Sequence, residues 1–277
     1  MKRYMFSNYY IDTERSWLAE PTPQPEFVLR GKLNIAARLA PRYGTDQLFE
    51  KLERYLSFTL PDFCVVTEFH QMLREVQDAY VCGHFYPALT GACCIGERIF
   101  NVLLLRLREY YKDSPSYKIV CNKASFDDWN NAIDRLLEWS VLPNEIEGSY
   151  RDLSKIRHHS IHFKDLSDLE KESKAGKALA DVLKITSALF GRRDDVLFEF
   201  GHLFIKKEKE NDPLVREFYI PASCRVGYKY RTENRDGKHV VIDNQPYEDQ
   251  EVTDEEFVRL RQDWLASQAG AGALTVG

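Results

Sequence analysis

The densest group of titratable side chains in the sequence lies at residues 157–163, where the chain reads RHHSIHF. Three of the seven histidines, His158, His159 and His162, fall within five residues and directly follow Arg157. An imidazole can accept or donate a proton near neutral pH, whereas a guanidinium stays charged and binds phosphate oxygens through paired N–H groups. Together these residue types predict acid–base chemistry at a phosphoryl group.

Cleavage of RNA by its own 2′-hydroxyl requires this set of groups. One group takes the hydroxyl proton, another protonates the leaving 5′-oxygen, and a cation stabilises the charge that builds up on the phosphate. The nucleophile belongs to the substrate, so we expect neither a metal ion nor a cofactor. We assign His162 as the acid/base residue, Arg157 as the phosphate stabiliser and His158 as a supplementary catalytic residue, with His159 in a supporting role.

The spacing of the motif places a condition on the assembly. Residues four apart share a helical face, so His158 and His162 project together, whereas Arg157 and His162 are separated by roughly 140° around the axis. A straight helix therefore does not place Arg157 beside His162. Either the helix begins or ends within the motif, or a second subunit supplies a copy of it, and we expect a symmetric homodimer.

The same residues resemble the signature of the HEPN family, in which an Arg and a polar residue are followed after a short gap by a His. Here these positions are Arg157, His158 and His162, and the resemblance covers about residues 67–190. It implies an all-helical dimer that cleaves RNA without a metal and leaves 2′,3′-cyclic phosphate and 5′-hydroxyl ends. It further implies a toxin or antiviral defence effector, with RNA as substrate and an antitoxin or other regulatory protein as partner.

Glu97 is a candidate supporting residue, because it lies within a long apolar segment at residues 87–111. A buried carboxylate needs a partner. In the resembling family a polar residue of this helix commonly faces the Arg/His cleft, which would let Glu97 orient Arg157. The alternative is a surface ion pair with a neighbour such as Arg98.

Three other interpretations of the motif stay open. His158 and His162 have the spacing of two zinc ligands, although a third ligand and the usual intervening Glu are not evident. In the second interpretation, a helical module of this type holds RNA or a nucleotide without cleaving it. In the third, the cluster only caps or cross-links helices.

The net charge of −5 argues against a general nucleic-acid coat protein, since phosphate binding needs concentrated Lys and Arg. Residues 148–164 are nonetheless locally basic. We predict that Arg151, Lys155 and Lys164 bind substrate, while an ordinary solvated helix face would have the same composition.

Hydrophobic periodicity predicts a mainly α fold with an antiparallel helical bundle at residues 63–191, and the family resemblance implies that this bundle is HEPN-like. Residues 1–62 form an aromatic and proline-rich extension with short helices at about 26–39 and 46–58. The bundle helices are expected from residue 67 to about Gly83, and at 87–111, 125–140, 147–163 and 169–190. We expect Leu153, Ile156, Ser160 and Phe163 to face the core, with Arg157 on a flanking or opposite face. Close approach of a neighbour is predicted at Gly91 and Gly96.

Residues 192–267 predict a small α+β region with an antiparallel sheet. Strands are expected at 196–200, 214–220, 224–231 and 239–242, with a hairpin at Asp236-Gly237. A capping box at residues 253–256 opens a final helix through Trp264, and residues 268–277 are expected to be a disordered tail.

The six cysteines show no CxxC spacing, and the N-terminal segment lacks the apolar run of a signal peptide. We interpret them as reduced, buried thiols of a cytoplasmic protein. Because Arg106 interrupts the most apolar segment, we expect no membrane span.

Overall fold

A computed structural model describes residues 1–11, 25–58, 60, 63–161, 167–236 and 238–273. The fold is mainly α with a small antiparallel sheet, as the sequence predicts. The chain forms two compact units, one of residues 10–192 and one of residues 1–9 together with residues 193–277. Residues 1–62, which the sequence analysis sets apart as an extension, are thus shared between the two units.

The elements have the following bounds. The helices are α1 (Pro25–Tyr43), α2 (Leu48–Ser57), α3 (Thr67–Val81), α4 (Phe85–Leu107), α5 (Tyr117–Val120), α6 (Trp129–Glu138), α7 (Asn144–Ile161), α8 (Asp168–Phe190) and α9 (Asp254–Ala273). The strands are β1 (Arg3–Phe6), β2 (Tyr10–Ile11), β3 (Phe63–Cys64), β4 (Val196–Glu199), β5 (His202–Ile205), β6 (Ser223–Val226), β7 (Arg231–Arg235) and β8 (Lys238–Ile242).

Helix α4 is the centre of the first unit, where it packs against α3, α6, α7 and α8. Leu89, Ile99 and Leu103 on this helix have no exposed surface. By length and composition alone Phe85–Tyr111 would also suffice to cross a membrane, a test that the buried core helix of a bundle passes as well. More than half of this segment's most apolar window is buried by the protein itself, as in the central helix of a bundle.

Two glycines of α4 allow neighbouring side chains to approach its backbone, which confirms the sequence prediction. A Cβ atom at Gly91 would lie 2.7 Å from Val76 Cγ2 of α3. At Gly96 it would lie 2.5 Å from Leu153 Cδ2 of α7 and 3.2 Å from the Trp129 ring. All three distances are shorter than a normal carbon–carbon contact. Glycine at position 96 therefore sets how closely α7 and α6 approach α4.

We expect Gly96→Ala to lower the free energy of unfolding by about 1–3 kcal/mol, because the added methyl overpacks a core in which Leu153 is fully buried. The matched control is Gly148→Ala in α7, where an added Cβ meets no atom within 4 Å. That change should stabilise the protein by about 0.5–1 kcal/mol through helix propensity alone. Urea unfolding of both variants measures the difference, and equal effects would contradict this account of α4.

The second unit is built on a four-stranded sheet with the order β4-β5-β1-β6, in which all neighbouring strands are antiparallel. Strand β1 lies inside the sheet, where Met5 is opposite Phe204 on one side and Cys224 on the other. The sequence analysis predicts no strand there, because four residues are too few for a periodic signal. Residues 1–9 therefore complete the C-terminal sheet.

The predicted hairpin is confirmed, while the strand predicted at 214–220 was wrong and the strand predicted at 224–231 ends at Val226. Strands β7 and β8 pair around Asp236, whose φ of 53° is left-handed. The segment 214–220 is helical, with a π-helical turn at Val215–Tyr219. Asp212 explains the error, since its side chain accepts hydrogen bonds from the Leu214 and Val215 amides and so caps a helical turn at 2.9 and 3.1 Å.

Helix α9 begins where the sequence predicts and ends later. The Thr253 hydroxyl oxygen accepts a hydrogen bond from the Glu256 amide at 3.2 Å, as in an N-cap. The helix continues past Trp264 through Ala273. Residues 268–273, for which the sequence predicts disorder, therefore belong to the helix.

Arg3 of β1 joins three segments of the second unit through a buried guanidinium. Its side chain is only 2% exposed. Nη1 pairs with Glu210 Oε1 at 3.1 Å, and Nη2 donates to the Ile205 carbonyl at 2.9 Å and to Asp254 at the start of α9. A buried charge with several partners fixes register as well as packing.

Candidate functional site

Arg157 lies on the face of α7 that packs into the bundle, and not on the flanking or opposite face that the sequence analysis assigns to it. Ile146, Tyr150 and Leu153 are fully buried. Arg157 follows them at the spacing i, i+4, i+7, i+11, which returns to within about 20° of the same direction. The prediction was wrong because Tyr150 was not counted in the apolar stripe. Arg157 is therefore directed at α4.

The partner of Arg157 on α4 is Glu97. Arg157 Nη2 lies 2.9 Å from Glu97 Oε2. Both side chains are about one-third exposed, at 33% and 30%. The alternative partner, Arg98, instead pairs with Glu68 of α3 at 2.7 Å. The contact that the sequence analysis expects between the long apolar helix and the motif helix is therefore present, and it fixes the direction of the guanidinium.

Trp129, the first residue of α6, contacts both members of this pair. Its indole Nε1 lies 3.4 Å from Glu97 Oε2, and the Arg157 guanidinium carbon lies 5.8 Å from the centre of its ring. The ring also packs edge-on against Phe100 at 5.0 Å. A buried indole N–H needs an acceptor, so Glu97 satisfies two donors at once. The sequence analysis does not single out Trp129 and misses this contact.

The segment before α6 is fastened to α4, which positions Trp129. The Asn101 side chain accepts a hydrogen bond from the Phe126 amide at 2.6 Å and donates to the Phe126 carbonyl at 2.9 Å. The Asp128 side chain then accepts a hydrogen bond from the Asn131 amide at 3.0 Å and caps α6. The helix that the sequence predicts from residue 125 therefore begins only at Trp129, with Asp128 as its N-cap.

Arg157 and Glu97 lie in the wall of an open cleft of about 550 Å³. Helix α4 lines most of it, with residues at positions 90, 93, 94, 95, 97, 98 and 101, while α3 contributes Met72 and α7 contributes Arg157. The volume is within the usual range for small-molecule sites. A cation held by a carboxylate at the edge of such a cleft can bind an anionic group of a ligand.

The structure describes the histidines of the motif only in part. Helix α7 continues through Ile161, and the side chain of His158 is exposed, one residue beyond Arg157. The side chain of His159 and all of His162 lie outside the described residues. Because α7 is helical from Arg157 through Ile161, it does not begin within the described part of the motif.

Arg151 and Lys155, predicted to bind substrate, make ion pairs within the fold. The Arg151 guanidinium pairs with Asp134 of α6 at 2.9 Å and with Glu147 at 2.8 Å, so it ties α6 to α7. Lys155 is exposed and lies 3.3 Å from Asp152. Neither lines the cleft. Lys164 lies outside the described residues.

The cysteines differ from the prediction in one respect that matters for the cleft. All six are free thiols, but only Cys64 and Cys93 are buried, whereas Cys94 is exposed. Burial, followed by the neighbouring Cys94, raises the pKa of the Cys93 thiol to about 12. The Cys93 thiol therefore stays neutral at physiological pH and adds no charge to the lining of the cleft.

His70 of α3 is a buried histidine outside the cleft, with 4% of its surface exposed. Burial lowers its pKa to about 4, and the charge of Arg74 acts in the same direction. In the unfolded chain a histidine takes up a proton near pH 6.5. Between pH 6.5 and 4 the unfolded state therefore binds more protons than the folded state, so stability falls as the pH is lowered through this range.

We expect acidification from pH 7 to pH 5 to lower the free energy of unfolding by about 2 kcal/mol through His70 alone. Urea unfolding followed by helical circular dichroism at the two pH values measures the loss. His70→Gln should remove this part of the pH dependence while leaving the contribution of the carboxylates. An identical pH dependence in the wild type and the variant would contradict the assignment.

Among the residues that the structure describes, no group of three or more His, Cys, Asp or Glu side chains is arranged to hold a metal ion. The zinc alternative depends on His162, which is outside them. Comparisons of the chain with models of protein families, with curated proteins and with solved structures find no match. The functional argument therefore depends on the residues of the cleft and the motif.

Proposed function

We propose that the protein is a metal-independent endoribonuclease of the HEPN type. The observation that carries this proposal is the Arg157–Glu97 ion pair in the wall of an open cleft. A permanently charged guanidinium held in one direction can stabilise the charge that builds up on a phosphodiester during cleavage. An ordinary surface arginine lacks such a fixed direction.

In the proposed reaction the ribose 2′-hydroxyl attacks the adjacent phosphorus. His162 accepts the hydroxyl proton or protonates the leaving 5′-oxygen, and His158 supplements it. Arg157 binds the non-bridging oxygens, and Glu97 with Trp129 holds Arg157 in place. The P–O bond to the 5′-oxygen breaks, so the products carry a 2′,3′-cyclic phosphate and a 5′-hydroxyl.

A symmetric homodimer is part of this proposal. Arg157 faces α4, and a residue five positions later on a straight helix would be directed about 140° away. A second subunit can bring its own His162 to the Arg157 of the first. In the cell the activity would serve a toxin or an antiviral defence effector under the control of an antitoxin or other regulatory protein.

Mixing two inactive variants tests the proposed arrangement. Arg157→Ala and His162→Ala are each expected to be inactive on a short RNA in EDTA. After subunit exchange, half of the dimers pair one copy of each variant and contain one complete site, so about a quarter of the wild-type activity should return. A mixture that stays inactive, beside an active wild type, would contradict a site shared between subunits.

The same ion pair favours one alternative function. If Arg157 serves only to fasten α7 to α4, the cleft would bind RNA or a nucleotide without cleaving it. RNA that binds to the wild-type protein and stays intact, with and without a chelator, would support this alternative and exclude the nuclease.

A further inference from the structure

The cleft extends well beyond the point where Arg157 would hold a phosphate. Its α4 wall runs from Thr90 to Asn101, a distance of about 16 Å along the helix axis. A phosphate at Arg157, which contacts Glu97, leaves the part of this wall between Glu97 and Thr90 for the nucleotide to which it is attached. The cleft is therefore long enough to hold a nucleotide base in addition to the phosphate.

The wall beside Arg157 is mainly apolar. Its lining residues include Met72 of α3 and Cys93 and Ile95 of α4. A thioether packs well against the face of an aromatic ring, and a neutral thiol is a small apolar group. Proteins recognise RNA bases by packing against such surfaces and by hydrogen bonds to their polar edges.

Polar side chains for the edge of a base come from Thr90, Glu97, Arg98 and Asn101, of which Glu97 is the carboxylate beside Arg157. Glu97 Oε2 is occupied by Arg157 and Trp129. Among the described residues no donor reaches its second oxygen, Oε1, and the side chain is 30% exposed in the cleft. A carboxylate oxygen accepts hydrogen bonds and cannot donate them when ionised. It attracts an amine and repels a carbonyl oxygen.

We propose that the cleft binds the nucleoside of the scissile phosphate and selects a base with an exocyclic amine, so that cytosine is preferred over uracil. The inference rests on the proposed function for placing the phosphate at Arg157. Cytosine and uracil have nearly the same size and differ at position 4, where cytosine has an amine and uracil a carbonyl oxygen. Glu97 Oε1 accepts a hydrogen bond from the cytosine amine and repels the carbonyl oxygen of uracil.

Equilibrium binding of cytidine 3′-monophosphate and uridine 3′-monophosphate to the full-length protein tests the inference. We expect the cytidine nucleotide to bind at least about tenfold more tightly, as one hydrogen bond to a charged group allows. In the Glu97→Gln variant, Arg157 donates to the amide oxygen of the new side chain. The amide NH2 then faces the cleft, where it donates to the carbonyl oxygen of uracil. The ratio of affinities should then fall to one or below. Equal affinities in the wild type, or a ratio unchanged by Glu97→Gln, would overturn the inference.

A second pair of variants tests the location independently of Glu97. Cys94→Trp places a large side chain in the cleft and should weaken binding of both nucleotides at least tenfold. Cys121→Trp is the matched control, because Cys121 follows α5 and does not line the cleft. It should leave both affinities unchanged. Equal effects of the two substitutions would exclude this cleft as the site.

Different results would contradict the proposed nuclease function and the proposed preference for cytosine. A protein that cleaves after cytidine and after uridine at equal rates is a nuclease without the proposed base selection, which overturns the inference alone. A protein that cleaves neither, yet binds the cytidine nucleotide more tightly, keeps the inference and excludes the nuclease.

Discussion

Replacement of Arg157 by alanine should lower kcat/KM for a short RNA by about 10²–10³, the usual cost of removing one group that stabilises a developing oxyanion. The guanidinium lies 2.9 Å from the Glu97 carboxylate and lines the cleft, so its removal takes a fixed positive charge from the proposed phosphate site. Arg157→Lys should recover only part of the activity, since an ammonium does not offer the planar, paired N–H groups of a guanidinium. Steady-state cleavage of a fluorescent RNA in EDTA measures both variants.

Arg151→Ala is the matched control for this experiment. Arg151 lies on the same helix and also makes ion pairs to another helix, but it does not line the cleft. If Arg157 merely fastened two helices, both alanine variants would lose similar activity. We expect Arg151→Ala to keep cleavage within about threefold of the wild type, because partly exposed ion pairs contribute little to stability. Equal losses in the two variants would contradict a direct role for Arg157.

Replacement of Arg3 by alanine should destabilise the second unit by about 3–5 kcal/mol, the usual cost of breaking a buried ion pair by removing one partner. The change leaves the carboxylates of Glu210 and Asp254, 17% and 21% exposed, without the guanidinium that neutralises them. It also removes a donor from the Ile205 carbonyl. Hydrogen exchange of the β1, β5 and β6 amides, together with urea unfolding, measures the loss.

Arg225→Ala is the control for Arg3. Arg225 lies on the adjacent strand β6, is exposed and packs over the Tyr4 ring at 5.5 Å. Surface substitutions of this kind usually change stability by less than about 0.5 kcal/mol. If Arg3→Ala cost no more than Arg225→Ala, the buried network would not hold β1 in the sheet.

The helices of the bundle could be predicted because burial imposes a 3.6-residue period that the sequence shows directly. Helix α4 is the clearest example, with apolar residues on all sides and glycines where Leu153 and Val76 approach. Strand β1 could not be predicted, because its stability comes from pairing with β5 and β6, which lie about 200 residues later. Such pairing is tertiary information and leaves no periodic signal in four residues.

The sequence predicted the pairing of Glu97 with Arg157, but neither the face of α7 that carries Arg157 nor the contact with Trp129. A carboxylate in an apolar helix needs a partner, and the arginine of the motif was a reasonable choice for Glu97. The face of Arg157 was assigned wrongly, because the Ile146, Tyr150 and Leu153 stripe places an arginine at the next inward position. A buried Trp129 indole needs a hydrogen-bond acceptor, which could have indicated that Trp129 belongs to the site. The sequence alone does not show that this acceptor is Glu97.

The contacts around Arg157 explain why its guanidinium has a fixed direction, which the residue types of the motif alone do not show. The apolar stripe of α7 holds Arg157 against α4, and Gly96 lets Leu153 and Trp129 approach closely enough for this contact. Asn101 then fastens the segment before α6, which keeps Trp129 beside Glu97. The direction of one guanidinium thus depends on three helices.

The chemical identity of the fragment ends tests the central claim most directly. Wild-type protein is incubated with a defined RNA in EDTA, and the termini are determined by mass spectrometry. The account predicts 2′,3′-cyclic phosphate and 5′-hydroxyl ends that are lost with Arg157→Ala. Intact RNA, ends with a 3′-hydroxyl and a 5′-phosphate, or cleavage unchanged by Arg157→Ala would contradict it.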